Sequence, residues 1–235
     1  MKNKTLWKQV GAAAIAAAMV MSTVPAMPVQ AAGGKTLAVS SQKQLNQALK
    51  TVKGKNAVIT VKAGKNVKIT IPKGTYKVTI RVVGKKAAVV NNGTVKEIVV
   101  NSKGTVAIKN NGTIKKVTVQ NAKSVSFSGN CKKAVPVVVN AEDVSMILAA
   151  PAKITAKKDV NIVLKKGAEK SSIMCKKNAQ AQVDNQTKKA ISVKIADGTT
   201  LKVESGESCT ITPKGKKEDT SGEDKTDEKD KTDGK

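Results

Sequence analysis

Among its 235 residues the chain has no histidine. That removes the side chain most often used for acid–base chemistry near neutral pH, and the commonest metal ligand. Aromatic residues are nearly as scarce, with Trp7, Tyr76 and Phe127 forming the whole set. Without aromatic rings a surface lacks stacking platforms for bases or sugars. Arginine occurs once, at Arg81, within a basic set of 43 residues. Planar, bidentate reading of phosphate or carboxylate is therefore not the mode of binding to expect. Acidic residues are few, at 17. Cysteines number three (Cys131, Cys175 and Cys209), so at least one stays unpaired within the chain. They lack metal-ligand spacing and are read as small buried hydrophobes. No G-x-S-x-G, P-loop or H-E-x-x-H motif occurs.

What is abundant is lysine, and its placement divides the chain in three. Residues 1–31 read as a secretory signal peptide. Lys2, Lys4 and Lys8 precede the apolar run "VGAAAIAAAMVM", and Val29 and Ala31 suit a cleavage site. Pro25 and Pro28 cut the run short of a bilayer span, so no integral membrane segment is expected after its removal. Residues 214–235 hold seven lysines, eight acids and no large apolar residue. Such a segment cannot bury a core and is expected to be a disordered charged tail. The body, residues 32–213, keeps 33 basic residues against 9 acidic ones. The positive charge thus belongs to the part that folds.

The body opens with a strand-like "LAV". Ser41 and Gln44 then fit a capping box, and Leu45, Ala48, Leu49 and Val52 form one apolar helical stripe. A capping helix is predicted near 41–53, stopped by Gly54. Beyond it apolar residues alternate with polar ones, the period of β-strands. The strands recur. Val67, Ala87, Val106, Val125 and Val144 begin one series, with steps of 20, 19, 19 and 19 residues. Val78, Ile98, Val117 and Val137 begin a second, with steps of 20, 19 and 20. A shorter third position falls at Val95 and Ile114. Interleaved series with one shared period indicate a solenoid, whose coils bury their inward faces only by stacking. Each buried Val or Ile adds roughly 1.5–3 kcal/mol to such a core.

The near-duplicate "NNGTVKEIVV" and "NNGTIKKVTV" fits this reading. Asn-Gly between strands is also a hairpin signal, and Asn92-Gly93-Thr94 and Asn111-Gly112-Thr113 match N-glycosylation sequons. A meander of hairpins has no reason to keep like residues 19 apart on both strands, so the solenoid is preferred. Asn91, Asn92, Asn110 and Asn111 are then expected to repeat at one corner, and Asn101, Gln120 and Asn140 at another. Side-chain amides stacked from coil to coil can form a structural ladder.

A strand, the helix "SQKQLNQALKTVK", and "AVITVKAGKNVKITIPKG" leading into parallel coils resemble the pectin-lyase-like right-handed parallel β-helix superfamily. The likeness spans about residues 36–212 and concerns architecture, because no catalytic signature accompanies it. It implies an all-β fold: a right-handed parallel β-helix, or β-solenoid, with coils of about 19–20 residues and a short N-terminal capping helix. Those coils are short for the superfamily, so a slimmer related β-solenoid is the alternative. Hydrolases of that superfamily use clustered aspartates. Here Asp143 and Asp159 are expected to stand one coil apart, and turn-forming corner residues explain them better. Its lyases hold calcium with several carboxylates. Nine scattered acids in so basic a body argue against that, and against any catalytic residue, metal or cofactor.

The functional expectation is therefore a secreted or cell-surface protein of bacterial type, structural or adhesive rather than enzymatic. Lysine doublets at corners would form rows that attract polyanions. Lys85, Lys86, Lys115, Lys116, Lys132 and Lys133 are the candidate binding residues. The partner class is an anionic polysaccharide or wall polymer. Nucleic acid would be held only unspecifically. The competing expectation for the same lysines is simple solubility at β-edges. The alternative function is a degenerate or unrecognised carbohydrate-active β-helix enzyme, a lyase or hydrolase acting on acidic polysaccharide.

Overall fold

A computed structural model describes residues 35–63, 66–213 and 217–219. The expected signal peptide and most of the expected tail lie outside these residues. Strand β1 (Lys35–Val39) is followed by helix α1 (Gln42–Thr51) and then by strands alone. These are β2 (Ala57–Ala63), β3 (Val67–Ile71), β4 (Thr75–Asn91), β5 (Thr94–Asn110), β6 (Thr113–Ile114), β7 (Val117–Asn121), β8 (Ser124–Ser128) and β9 (Val135–Val139). They continue with β10 (Val144–Ala149), β11 (Ala152–Ala156), β12 (Val160–Leu164), β13 (Ser172–Cys175) and β14 (Ala181–Asn185). The last are β15 (Ile191–Lys194), β16 (Thr200–Val203), β17 (Ser208–Ile211) and β18 (Lys217–Asp219).

The strands form a β-solenoid of about 8 turns. One long face stacks β1, β2, the first half of β4, the first half of β5, β7, β9, β11, β13 and β15, all parallel. The other stacks β3, the second halves of β4 and β5, β8, β10, β12 and β14, again parallel. A short third side joins Tyr76, Val95 and Ile114. Alternate side chains point inward and form continuous columns. One runs Ile69, Val89, Ile108, Phe127, Leu148 and Leu164. All six are buried, and no neighbouring β-hairpin interrupts them.

The ends are closed in different ways. At the start, Ser41 caps α1 by accepting from Gln44 N (3.3 Å), while Gln44 Oε1 accepts from Ser40 N (2.7 Å). The reciprocal bond of the capping box thus goes one residue earlier than expected. Leu45, Ala48, Leu49 and Val52 are buried. Gln42 reaches the main chain of Thr70, accepting from its N (2.6 Å) and donating to its O (2.8 Å). That satisfies backbone on the first strand of the second face, which would otherwise be an open edge. At the far end the chain reverses: β16 pairs antiparallel with β15, and β17 with β14. Strand β18 pairs antiparallel with β17, so Lys217–Asp219 are ordered inside the stretch 214–235 expected to be disordered.

Two sequence alignments need correction. Val125 stacks on Met146, not on Val144, and Ile98 stacks on Ile80, not on Val78. Both differences are slips of two residues. A two-residue slip keeps every side chain on its own side of the sheet, so alternation cannot detect it. The first slip moves the second face along by one inward position. Val144 then faces inward opposite the turn residue Lys123, and Val160 follows below it.

Candidate functional site: the lysine-bearing corners

The corners decide where the lysines go. In the first coils the corner after the second face is built on asparagine. Asn91 and Asn110 are fully buried, and Asn91 Nδ2 donates to Asn110 Oδ1 at 2.8 Å. Each also accepts from a main-chain N–H two residues on, Gly93 and Gly112, both at 3.3 Å, closing the local turn. Asn110 Nδ2 then donates to Cys131 Sγ at 3.3 Å, where the ladder ends. Outside it, Asn111 Nδ2 donates to Asn92 Oδ1 at 3.0 Å. At the opposite corner Asn140 follows Gln120, but Asn101 pairs with Asn121 and not with Gln120 as expected, because a register shift falls between Val100 and Asn101. There the link between coils is main chain, Asn140 N to Val119 O at 2.8 Å. No side-chain amide bond joins those three among the described residues.

Glycines allow this close stacking. Thr94 N bonds Gly74 O (2.7 Å) and Thr113 N bonds Gly93 O (2.8 Å), so Gly74, Gly93 and Gly112 lie over one another. A Cβ at Gly112 would overlap the Gly93 carbonyl oxygen.

The same register sets out a row that doublets alone do not reveal. Tyr76 pairs with Val95, and Val95 with Ile114. Their successors Lys77, Lys96 and Lys115 stand on three consecutive coils; Lys96 and Lys115 are in register, Lys77 lies at an irregularity between Tyr76 and Thr79, and Lys115 N bonds Val95 O at 3.2 Å. All three are exposed. Coils of a parallel stack lie about 4.8 Å apart, so the charges are closely spaced along the axis. Lys77 and Lys96 were missed because they are single lysines. The signal was present: 77, 96 and 115 keep the 19-residue period.

The six lysines expected to bind do not come together. Lys115, Lys132 and Lys133 line one groove of about 700 Å³ with Asn111, Thr113 and Cys131. Lys116 instead pairs with Glu97 (3.4 Å), whose carboxylate also accepts from Thr118 Oγ1 (2.6 Å). Lys85 and Lys86 sit at the corner between the two long faces, next to Gly84 and above Gly104. The outward positions of the faces themselves carry few lysines. Along one outward line of the second face run Lys68, Ala88, Ala107, Ser126, Ile147 and Val163. Arg81 lies on the first face between Thr60 and Val99, with its Nε buried and unpartnered.

The acids are dispersed. Asp143 stands one coil from Asp159, since Val144 pairs with Val160 and Asp143 N bonds Asp159 O at 3.0 Å. Asp143 has φ 53°, a left-handed turn conformation, and Asp159 Oδ1 accepts from Gln180 N at 2.8 Å. Both act as corner residues here. Beside them Lys158 pairs with Glu142 at 2.7 Å, which lowers the carboxyl pKa and raises that of the ammonium. Glu169 is lowered mainly by the Gly167 N–H that its carboxylate accepts. Among the described residues no group of three or more Cys, Asp or Glu side chains could hold a metal ion. Burial pushes the Cys131 thiol up, partly offset by Asn110, and pushes Cys175 up to about 11.

No family model, no curated protein and no solved structure matches the chain.

Proposed function

We propose that this protein is a secreted or surface-associated, non-catalytic β-solenoid that holds anionic surface polymers through lysines at its corners. The observation that carries the reading is the row Lys77, Lys96 and Lys115 on consecutive coils. A stack of this kind is rigid, so its charges are held in fixed order rather than on floppy arms. Lysine ammonium groups act as point charges, and binding through them weakens with salt. The strand, helix and parallel coils support kinship with the pectin-lyase-like superfamily at the level of architecture. Retention of the purified protein on wall polymer, acidic polysaccharide and DNA at rising salt tests the reading. It expects retention at low salt and release near physiological salt or above. No retention on any of them at low ionic strength would sink it.

One observation favours a second reading, that of a carbohydrate-active enzyme: Asp143 and Asp159 lie one coil apart on an exposed corner. Release of reducing ends or unsaturated products from acidic polysaccharides would favour it.

A further inference from the structure

We propose that the lysine row and the groove at its end form one binding track for a linear polyphosphodiester, of the polyol-phosphate kind found in wall polymers, lying along the solenoid axis. The proposal rests on the polyanion reading above and adds a place and a ligand class. The track begins at Lys77, continues through Lys96 to Lys115, and runs into the groove walled by Lys132 and Lys133. All five side chains are exposed, and none is ion-paired among the described residues. No acidic residue lines the groove. Glu97, which adjoins Lys96, is already held by Lys116 and Thr118.

The groove exists because the third side of the solenoid stops. Strand β6 pairs with β5 through Thr113 and Ile114, while the next coil at that level is the irregular stretch 130–134. The step leaves the edge beside Asn111, Thr113 and Lys115 uncovered, and Cys131 lines the groove with them. Asn111 and Thr113 there can bond polyol hydroxyls or phosphate oxygens. The ligand class follows from what the track lacks as much as from what it has. Lysines bind phosphodiester oxygens as point charges, without the planar fork that arginine brings to phosphate or carboxylate, and Arg81 stands on the first long face. The groove has no aromatic side chain for a sugar ring or a base to stack on. A flexible polyol phosphate needs neither.

Cys131 makes the site readable. It is partly exposed, whereas Cys175 and Cys209 are buried, so slow thiol alkylation of the full chain reports on the groove. Three probes are compared at low salt: poly(glycerol phosphate), polygalacturonate and single-stranded DNA. Binding is read by co-sedimentation, and Cys131 alkylation by mass spectrometry. Poly(glycerol phosphate) is expected to bind best and to slow Cys131 alkylation about tenfold or more. The triple change Lys77→Ala, Lys96→Ala, Lys115→Ala is expected to weaken it about tenfold or more at low salt, with an unchanged melting curve. Lys85→Ala with Lys86→Ala, at the other corner, is expected to leave both readouts within about twofold. If polymer binds but Cys131 stays equally reactive and the triple variant binds equally well, the track is wrong while the polyanion reading stands. If DNA or polygalacturonate binds and protects as well as poly(glycerol phosphate), the polyphosphodiester assignment fails. If nothing binds, both readings fall together.

Discussion

The first three coils and the later ones share two long faces but turn their corners differently. From Gly74 to Ile114 the chain inserts a short third side, with buried asparagines below it and a column of glycines beside it. After Cys131 that side is gone. Only Ala150 and Pro151 separate the end of β10 at Ala149 from the start of β11 at Ala152. The long faces persist because their inward columns are interchangeable hydrophobes, and a slip of two residues still buries one. The corners differ because each needs particular backbone and polar partners. The faces therefore hold the molecule together, and the change of corner creates a lysine-walled step. Function, in this reading, is lodged where the repeat breaks.

The comparison can be broken most forcefully at the glycine column. Gly112→Val is expected to cost about 3 kcal/mol or more, since the added atoms meet main chain of the coil before it. Gly198→Ala, in the later half, is expected to cost only about 1 kcal/mol. There φ is +97° but nothing lies within 4 Å of a new Cβ. Denaturant midpoints for the two would decide, and equal losses would remove the distinction between close-stacked and open corners.

Next in size is the buried ladder. Asn110→Ala should lose about 2 kcal/mol, because Asn91 Nδ2 and the Gly112 N–H lose a buried partner. Asn111→Ala, at the exposed rung, should stay within about 0.5 kcal/mol. If thermal melts show the two alike, the inner rung is not what secures the corner.

The later coils carry a pH signature of their own. Burial raises the Cys175 thiol from 9.0 to about 11 in the fold. The unfolded chain therefore releases its proton first as pH rises. Stability from this group is complete below pH 9 and is lost on the way to about pH 11. At pH 10 the loss amounts to about 1 kcal/mol. Unfolding of the native chain and of Cys175→Ala at pH 7 and pH 10 should show that extra loss only in the native chain. An identical pH dependence would refute it.

The smallest effect is expected at the corner of Glu142 and Lys158. Both side chains are well exposed, so removing either should leave the melting temperature unchanged within error. A clear drop would mean that the later corners rely on ion pairs where the first coils rely on amides.

The order of strands, the capping helix over Gln42–Thr51 and the inward columns were legible in the sequence. Each follows from a local pattern: Ser41 before an apolar stripe, or a valine at every second position. The asparagine corner was legible too, through the repeat of Asn91-Asn92-Gly93 at Asn110-Asn111-Gly112. The candidate site was less so. Doublets drew attention to Lys116, which is taken up by Glu97, and to Lys85 and Lys86, which stand at another corner. Lys77 and Lys96 escaped notice although their spacing matched the coils.

By itself the sequence determined that this chain is a stack of short strands, with its positive charge in the folded body. Alternation and period suffice for that, because burial acts on each residue singly. Only the tertiary structure decided which residue lies over which. Slips at Val78 and Val144 conserve inward and outward parity, so hydrophobicity is indifferent to them, and turn geometry and main-chain pairing fix the register. That register aligned Lys96 with Lys115 and left Lys77 on the coil before them, ended the third side after Ile114, and set Cys131 and two further lysines against the edge it exposed.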